Sequence, residues 1–167
     1  MLIRPVQRRD AAAIAKIYNH YIRDTVITFE EHELSVDALA ERIDSVTQSY
    51  PWFVGERDDV CIGYAYANQW RARSAYRHAV ESSVYVRADA IGQGFGRALY
   101  LALLDALRQL PIHSVIGGIA LPNDASVALH ERLGFTKVGH FTEVGRKFDE
   151  WIDVGYWELL LDGTLPA

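Results

Sequence analysis

Three glycines at alternate positions, Gly92, Gly94 and Gly96, separate a strand-like run from a helix-like run in this 167-residue chain. In the run before them, Glu81, Ser83 and Tyr85 fall on one face of an extended segment, and Ser82, Val84 and Val86 on the other. The run after them places Ala98, Leu99, Ala102, Leu103, Ala106, Leu107 and Leu110 at helical spacing. A strand feeding a glycine-rich turn and a helix start suits phosphate binding. The first helical N–H groups lack intrahelical acceptors, and glycine lets a diphosphate come close to them. The spacing is neither GxGxxG nor the phosphate loop with its Lys and Ser/Thr, so a purely structural turn competes with that reading.

A second chemical cluster is Trp70-Arg71-Ala72-Arg73-Ser74-Ala75-Tyr76-Arg77, crowded with aromatic and cationic groups between two strand candidates. It reads either as a solvated loop with arginine stems along the surface, or as a loop that meets an anionic substrate, where a guanidinium grips a carboxylate bidentately. The histidines (His20, His32, His78, His113, His130 and His140) are scattered without an H-E-x-x-H pair, and no metal site is expected. The single Cys61 rules out an internal disulfide and reads as an ordinary small apolar residue.

The elements that must position these groups follow from periodicity. Met1 to Val6 predicts a first strand. Asp10 is a plausible cap or first-turn acid for a helix with Ile14, Ile17, Tyr18 and Tyr21 on one face, ending near Arg23-Asp24. Thr25 to Glu30 is either a short strand or an extended loop. Ser35 caps a second helix carrying Val36, Leu39, Ala40, Ile43 and Val46. Trp52 opens a strand, Arg57-Asp58-Asp59 turns, and Val60 to Asn68 returns, with Gly63 marking a twist or bulge. Arg77 to Val86 is the central strand, and Pro111 stops the helix that follows it. His113 to Ala120 is a strand in which Gly117-Gly118 either admits a close neighbour or marks a distortion. Asn123 or Asp124 caps the next helix, and Gly134-Phe135 closes it. Phe135 to Val144 is a strand. A turn around Gly145 leads through Lys147-Phe148-Asp149-Glu150 to the last strand, Trp151 to Leu161, and Leu165-Pro166-Ala167 reads as a loose tail. This order predicts an α/β (or α+β) fold, a mixed sheet with helices on both faces.

Half of the residues (50%) are hydrophobic, enough for a sizeable core in one domain, residues 1–167. The net charge of -5 and the lack of any basic run argue against a nonspecific nucleic-acid binder. No apolar run reaches membrane-spanning length. Arg4, Arg8, Arg9 and Asp10 interrupt any signal-peptide pattern, so a cytoplasmic protein is expected.

The glycine stretch, Ile91-Gly92-Gln93-Gly94-Phe95-Gly96, resembles the pyrophosphate loop of the GNAT acetyltransferase superfamily, usually Gln/Arg-x-x-Gly-x-Gly/Ala, with Ile91 in place of the first residue. Asn123, Ser126, His130, Gly134 and Phe135 are similar to the superfamily's Asn-x-x-Ala/Ser-x-x-x-Tyr segment and its Gly-Phe. His130 takes the Tyr position, as in the phosphinothricin and methionine sulfoximine N-acetyltransferase branch. Phe148 to Trp157 also resembles that branch, with Asp149 where it usually has glycine, and the likeness extends over most of the chain. The resemblance implies a GNAT-like, mostly antiparallel sheet whose central strands splay around acetyl-CoA. It implies cosubstrate contacts from Val84, Tyr85, Val86, Ile91, Gly92, Gln93, Gly94, Phe95, Gly96, Arg97, Asn123 and Ser126. It places Phe29, Arg73, Tyr76, Glu81 and Tyr156 at the acceptor, although Phe29 reads equally as a packed aromatic.

The implied reaction is direct attack of a neutral amine on the thioester in a ternary complex, without an acyl-enzyme. Glu81 is the candidate base, with an edge salt bridge as the competing reading. His130 is the candidate to protonate the leaving thiolate or to help remove the amine proton, with a hydrogen-bonded core histidine as the competing reading. The implied partner is a small amino-acid-like substrate: methionine sulfoximine, methionine sulfone or phosphinothricin. Another amine, a protein N terminus, or a non-catalytic coenzyme A sensor are the alternatives. A homodimer is implied, with no nucleic-acid or membrane partner.

Overall fold

The computed structural model describes residues 1–161, so the Leu165-Pro166-Ala167 tail lies outside the described residues. The elements are β1 (Leu2–Pro5), α1 (Ala11–Asp24), α2 (Val36–Val46), β2 (Trp52–Arg57), β3 (Val60–Gln69), β4 (Ala79–Val86), α3 (Phe95–Leu107), β5 (Ser114–Leu121), α4 (Asp124–Arg132), β6 (Thr136–Lys147) and β7 (Glu150–Leu160). The seven strands form one sheet in the order β1-β2-β3-β4-β5-β7-β6. Every neighbouring pair is antiparallel except β4 and β5.

That parallel pair positions the site. Its register runs Ala79↔Ser114, Val80↔Val115 and Glu81↔Ile116, and there it stops. β4 continues to Val86 and β5 to Leu121, so the two strands part like a fork just beyond Glu81. The sheet is mixed, mostly antiparallel and splayed at its centre, as the family resemblance implies.

Alternation along β3 builds a core on each face. Tyr64 and Tyr66 join Ile14, Tyr18, Tyr21, Leu39 and Ile43 of α1 and α2. Ala65 and Ala67 face the other way and leave room for Leu99, Tyr100, Leu103 and Leu107 of α3, with Phe135 and Trp157 beside them. The caps follow local chemistry. Ser35 accepts from the Ala38 N–H at 3.1 Å, and Asn123 accepts from the Ser126 N–H at 3.1 Å. α4 ends in a Schellman motif: Phe135 N–H reaches His130 O at 3.1 Å and Gly134 N–H reaches Glu131 O at 3.0 Å, with Gly134 at φ 93°.

Three expectations need correction or resolution. Thr25 to Glu30 forms no strand; it is a loop held by side-chain hydrogen bonds such as Thr25 Oγ1 to Tyr21 O at 2.7 Å. The turn expected around Gly145 is absent. Gly145 pairs with Ile152 inside β6, and the chain reverses at Phe148 and Asp149, both in the left-handed region, as a tight two-residue hairpin requires. α3 ends at Leu107, before Leu110, because the chain tightens into turns ahead of Pro111.

Candidate active site

The fork brings the phosphate-loop candidates to its open end. Gly94 is the N-cap of α3 at φ 84° and ψ -2°, and no side chain caps the helix there. Gly92 also has positive φ, and a Cβ added at Gly92 or Gly94 would meet nothing within 4 Å. The first amides of α3 therefore face open space across glycines that only glycine occupies without strain. This cradle fits a diphosphate. Gln93 is held at both ends of its amide: Nε2 donates to Asp89 O at 2.9 Å, and Oε1 accepts from Arg57 at 3.1 Å. Arg57 also lies over the Phe95 ring. Ile91 and Arg97 are exposed. The Val86 carbonyl is already taken by the Tyr21 hydroxyl at 2.6 Å.

A narrow cleft follows the parting strands and is lined by Val84 and Tyr85 of β4, Gly118 to Ala120 of β5, and Asn123, Ser126 and His130 of α4. Ile27, from the loop after α1, closes one side.

Glu81 is the last residue of β4 to pair with β5. Its Oε1 would lie 3.2 Å from a Cβ at Gly118, and the Tyr156 ring 3.3 Å from the same point. Glycine at 118 thus leaves the space that the carboxylate and the Tyr156 edge share. Burial pushes the Glu81 carboxyl above its ordinary value, and the charge of Arg71 draws it only part of the way back. Tyr156 packs edge-on between Trp70, at 5.6 Å between centroids, and Phe141, at 5.5 Å.

Ser82, the next residue, faces the opposite side of the sheet and opens a buried polar chain. Its hydroxyl bonds that of Tyr100 on α3, and the Tyr100 hydroxyl meets His130 Nε2 at 3.0 Å. His130 Nδ1 meets Ser126 O at 2.8 Å. A carbonyl can only accept, so Nδ1 carries the proton and Nε2 accepts from Tyr100. That leaves the Ser82 hydroxyl to donate to the Tyr100 oxygen, with Ile116 O at 3.3 Å as its second acceptor. Burial lowers the His130 pKa, more than its bond to Ser126 raises it, so the ring is neutral near pH 7. Gly117 is explained here: a Cβ on it would come within 2.5 Å of His130 Nε2.

Glu81 and His130 are therefore brought to the same fork from opposite faces of the sheet, with the Gly117-Gly118 pair making room for one on each side. Phe29 lies against Gly145 of β6. Arg73 and Tyr76 sit exposed on the 70–77 loop. Sequence reasoning passed over Arg71, the cation whose field reaches Glu81, and Tyr100, on the helix after the glycines. Among the described residues no group of three or more His, Cys, Asp or Glu is arranged to hold a metal, and no helix is long and apolar enough to cross a membrane.

A forked sheet with an uncapped, glycine-rich helix start at its open end defines an acetyl-CoA-binding acetyltransferase fold, and sequence comparison agrees. Residues 3–155 match the acetyltransferase (GNAT) domain family. A phosphinothricin N-acetyltransferase of Streptomyces viridochromogenes is 40% identical over 165 residues, covering 99% of this chain and 89% of its own. An L-methionine sulfoximine/L-methionine sulfone acetyltransferase of Salmonella typhimurium is 37% identical over 163 residues, covering 97% of this chain and 95% of its own. The structure of a GNAT superfamily phosphinothricin acetyltransferase from Sinorhizobium meliloti, in complex with acetyl-CoA, superposes with a TM-score of 0.94 at 33% identity, over 99% of this chain and 91% of that one. The chain belongs to the GNAT acetyltransferase family. It is an enzyme whose cosubstrate is acetyl-CoA and whose acceptor is an amine.

Proposed function

We propose that the enzyme, one domain over its whole length, N-acetylates a small amino-acid analogue with a tetrahedral sulfur or phosphorus centre: methionine sulfoximine, methionine sulfone or phosphinothricin. The observation that carries the reading is Glu81, a desolvated carboxylate at the point where β4 and β5 part, with Arg71 as its nearby charge. An amino-acid ammonium must lose a proton before it can attack. A carboxylate with a raised pKa accepts that proton, directly or through water, more readily than an ordinary one. The exposed guanidinium groups of Arg71 and Arg73, with the Tyr76 hydroxyl, meet the acceptor's carboxylate and its polar centre. Tyr156 and Phe29 border the acceptor's side chain. The relatives named for these substrates support the choice.

On the cosubstrate side, the amides from Gly92 to Arg97 hold the diphosphate. Val84, Tyr85, Val86, Asn123 and Ser126 flank the pantetheine arm, and backbone N–H groups along the fork polarise the thioester carbonyl. Asn123 uses its Oδ1 on the helix cap, which leaves its amide N–H groups for the ligand. The departing thiolate takes a proton from water in the cleft, which balances the one Glu81 removes from the amine, and neutral His130, accepting from Tyr100, orders the Tyr100–Ser82 chain beside it. The same reading makes the protein a cytoplasmic homodimer without a nucleic-acid or membrane partner.

The test is thiol release from acetyl-CoA against those three compounds, the ordinary amino acids, polyamines and short peptides. Release confined to the first three, with N-acetyl product confirmed by mass, supports the proposal. Release with a peptide or polyamine instead keeps the chemistry and overturns the acceptor.

A further inference from the structure

One nearly buried charge has no part in the chemistry above. Lys147, on β6 just before the hairpin, is 3% exposed. Its Nζ donates to the backbone carbonyl of Thr28 at 2.8 Å and lies 5.0 Å from the Phe148 ring centroid. Burying an ammonium with one carbonyl as its hydrogen-bond acceptor is costly, the charge of Glu31 offsets only part of that burial, and a methionine would fill the same space without the cost. What only the lysine supplies here is its donor, and the donor ties one segment to another.

The two segments come from opposite branches of the fork. Thr28 belongs to the loop after α1, and α1 is anchored on the β4 branch by Tyr21 hydroxyl to Val86 O at 2.6 Å and by the Tyr18–Tyr85 ring contact at 5.1 Å. Thr28 Oγ1 also bonds the Tyr18 hydroxyl at 2.8 Å. Lys147 belongs to the β6–β7 hairpin, which continues the β5 branch. A second contact repeats the tie. Gly145 has no side chain where a Cβ would overlap the Phe29 ring. Ile27, between these anchors and α1, lines the cleft itself. The strands that part after Glu81 and Ile116 are thus rejoined at the far end by the loop, through Thr28–Lys147 and Phe29–Gly145.

We propose that Lys147 is a positioning residue that fixes this arch over the acceptor and thereby sets which acceptors fit. The inference rests on the reading that the acceptor binds on the Glu81 face. Lys147 touches neither acceptor nor cosubstrate; it acts through Thr28 and Phe29.

The experiment compares Lys147→Met, Lys147→Arg and Gly145→Ala by hydrogen exchange of residues 25–34, by acetyl-CoA Kd from direct binding, and by acceptor KM and kcat. In Lys147→Met, exchange in 25–34 should rise and acceptor KM should climb about tenfold, the effect of losing one hydrogen bond from a charged donor. The acetyl-CoA Kd should stay where it was, and Lys147→Arg should restore much of both losses. Gly145→Ala pushes on Phe29 without touching the lysine, and should raise acceptor KM even if Lys147→Met does not fold. Unchanged exchange in a folded Lys147→Met overturns the proposal. So does a rise in acetyl-CoA Kd as large as that in acceptor KM. If no acceptor in the panel turns over, the proposed function fails, while the exchange measurement still decides whether Lys147 holds the arch.

Discussion

At the scale of single residues, Glu81 and Tyr100 carry the sharpest tests. Glu81→Gln keeps the shape of the side chain and removes the base, so kcat should fall about 10²- to 10⁴-fold with acetyl-CoA binding intact. Burial raises the Glu81 pKa, so the base form dominates only above that raised value. The wild-type pH–rate profile should show a rising limb displaced upward from that of an ordinary glutamate, and the variant should lack it. The same shift has a stability sign. The folded state holds this proton more tightly than the unfolded state, so the stabilisation is full below the unfolded pKa and is lost as pH rises through the folded one. Glu81→Gln should therefore melt higher than wild type near pH 8; near-wild-type turnover across the profile would remove Glu81 as the base. Tyr100→Phe strips the donor from His130 Nε2 and should cost about 1–3 kcal/mol in urea denaturation, the penalty for an unsatisfied buried acceptor. Sequence alone set Glu81 and Ser82 on opposite faces, and the structure shows why that alternation matters. It could not show Tyr100, because the hydroxyl's partners, Ser82 and His130, lie on other elements that only the fold brings together.

Among the elements, the α3 start and the paired glycines of β5 make separable predictions. Gly94→Val puts a branched residue at φ 84° over the helix amides, and should raise the acetyl-CoA Kd at least tenfold, read by direct binding, with acceptor KM little changed. A folded variant of unaltered affinity would detach this loop from the cosubstrate. Gly117→Ala drives a Cβ to 2.5 Å from His130 Nε2 and should destabilise by about 1–3 kcal/mol, as an overpacked core does. Elements with strong periodicity and caps were legible from sequence: α1, the Ser35 cap of α2, and Gly134 closing α4. What stayed hidden depends on tertiary partners. Gly117 and Gly118 lower strand propensity, yet β5 forms because β7 pairs it along its whole length, β4 pairs its first three residues, and each glycine yields its space to a neighbour's side chain. Gly145 looked like a turn for the same reason; its missing Cβ makes room for Phe29, a residue more than a hundred positions away.

For the molecule as a whole, β6 is the open question that the sheet poses. It is the outermost strand, beyond β7, and 12 residues long. Val138, Phe141 and Val144 on it, with Phe148 and Trp151 around the hairpin, are all more than half exposed, at 56%, 54%, 57%, 55% and 61%. An edge strand that exposes a cluster of large apolar side chains templates association unless something covers it. The opposite edge, β1, is only four residues long and carries Arg4 in an ion pair with Asp10 at 2.8 Å. If the proposed homodimer forms, the physics points to the β6–β7 edge as the surface it buries. Phe141 belongs to that edge and also packs on Tyr156 beside Glu81, so assembly and acceptor binding would meet through one aromatic contact. Sedimentation should give about twice the 18.8 kDa chain mass for the wild type. A Val144→Asp, Trp151→Glu double variant should sediment as the single chain, with acetyl-CoA affinity retained because the α3 cradle lies on the other branch of the fork. A wild-type protein that sediments as one chain at micromolar concentration would reject the dimer, and a double variant that stays dimeric would move the interface elsewhere.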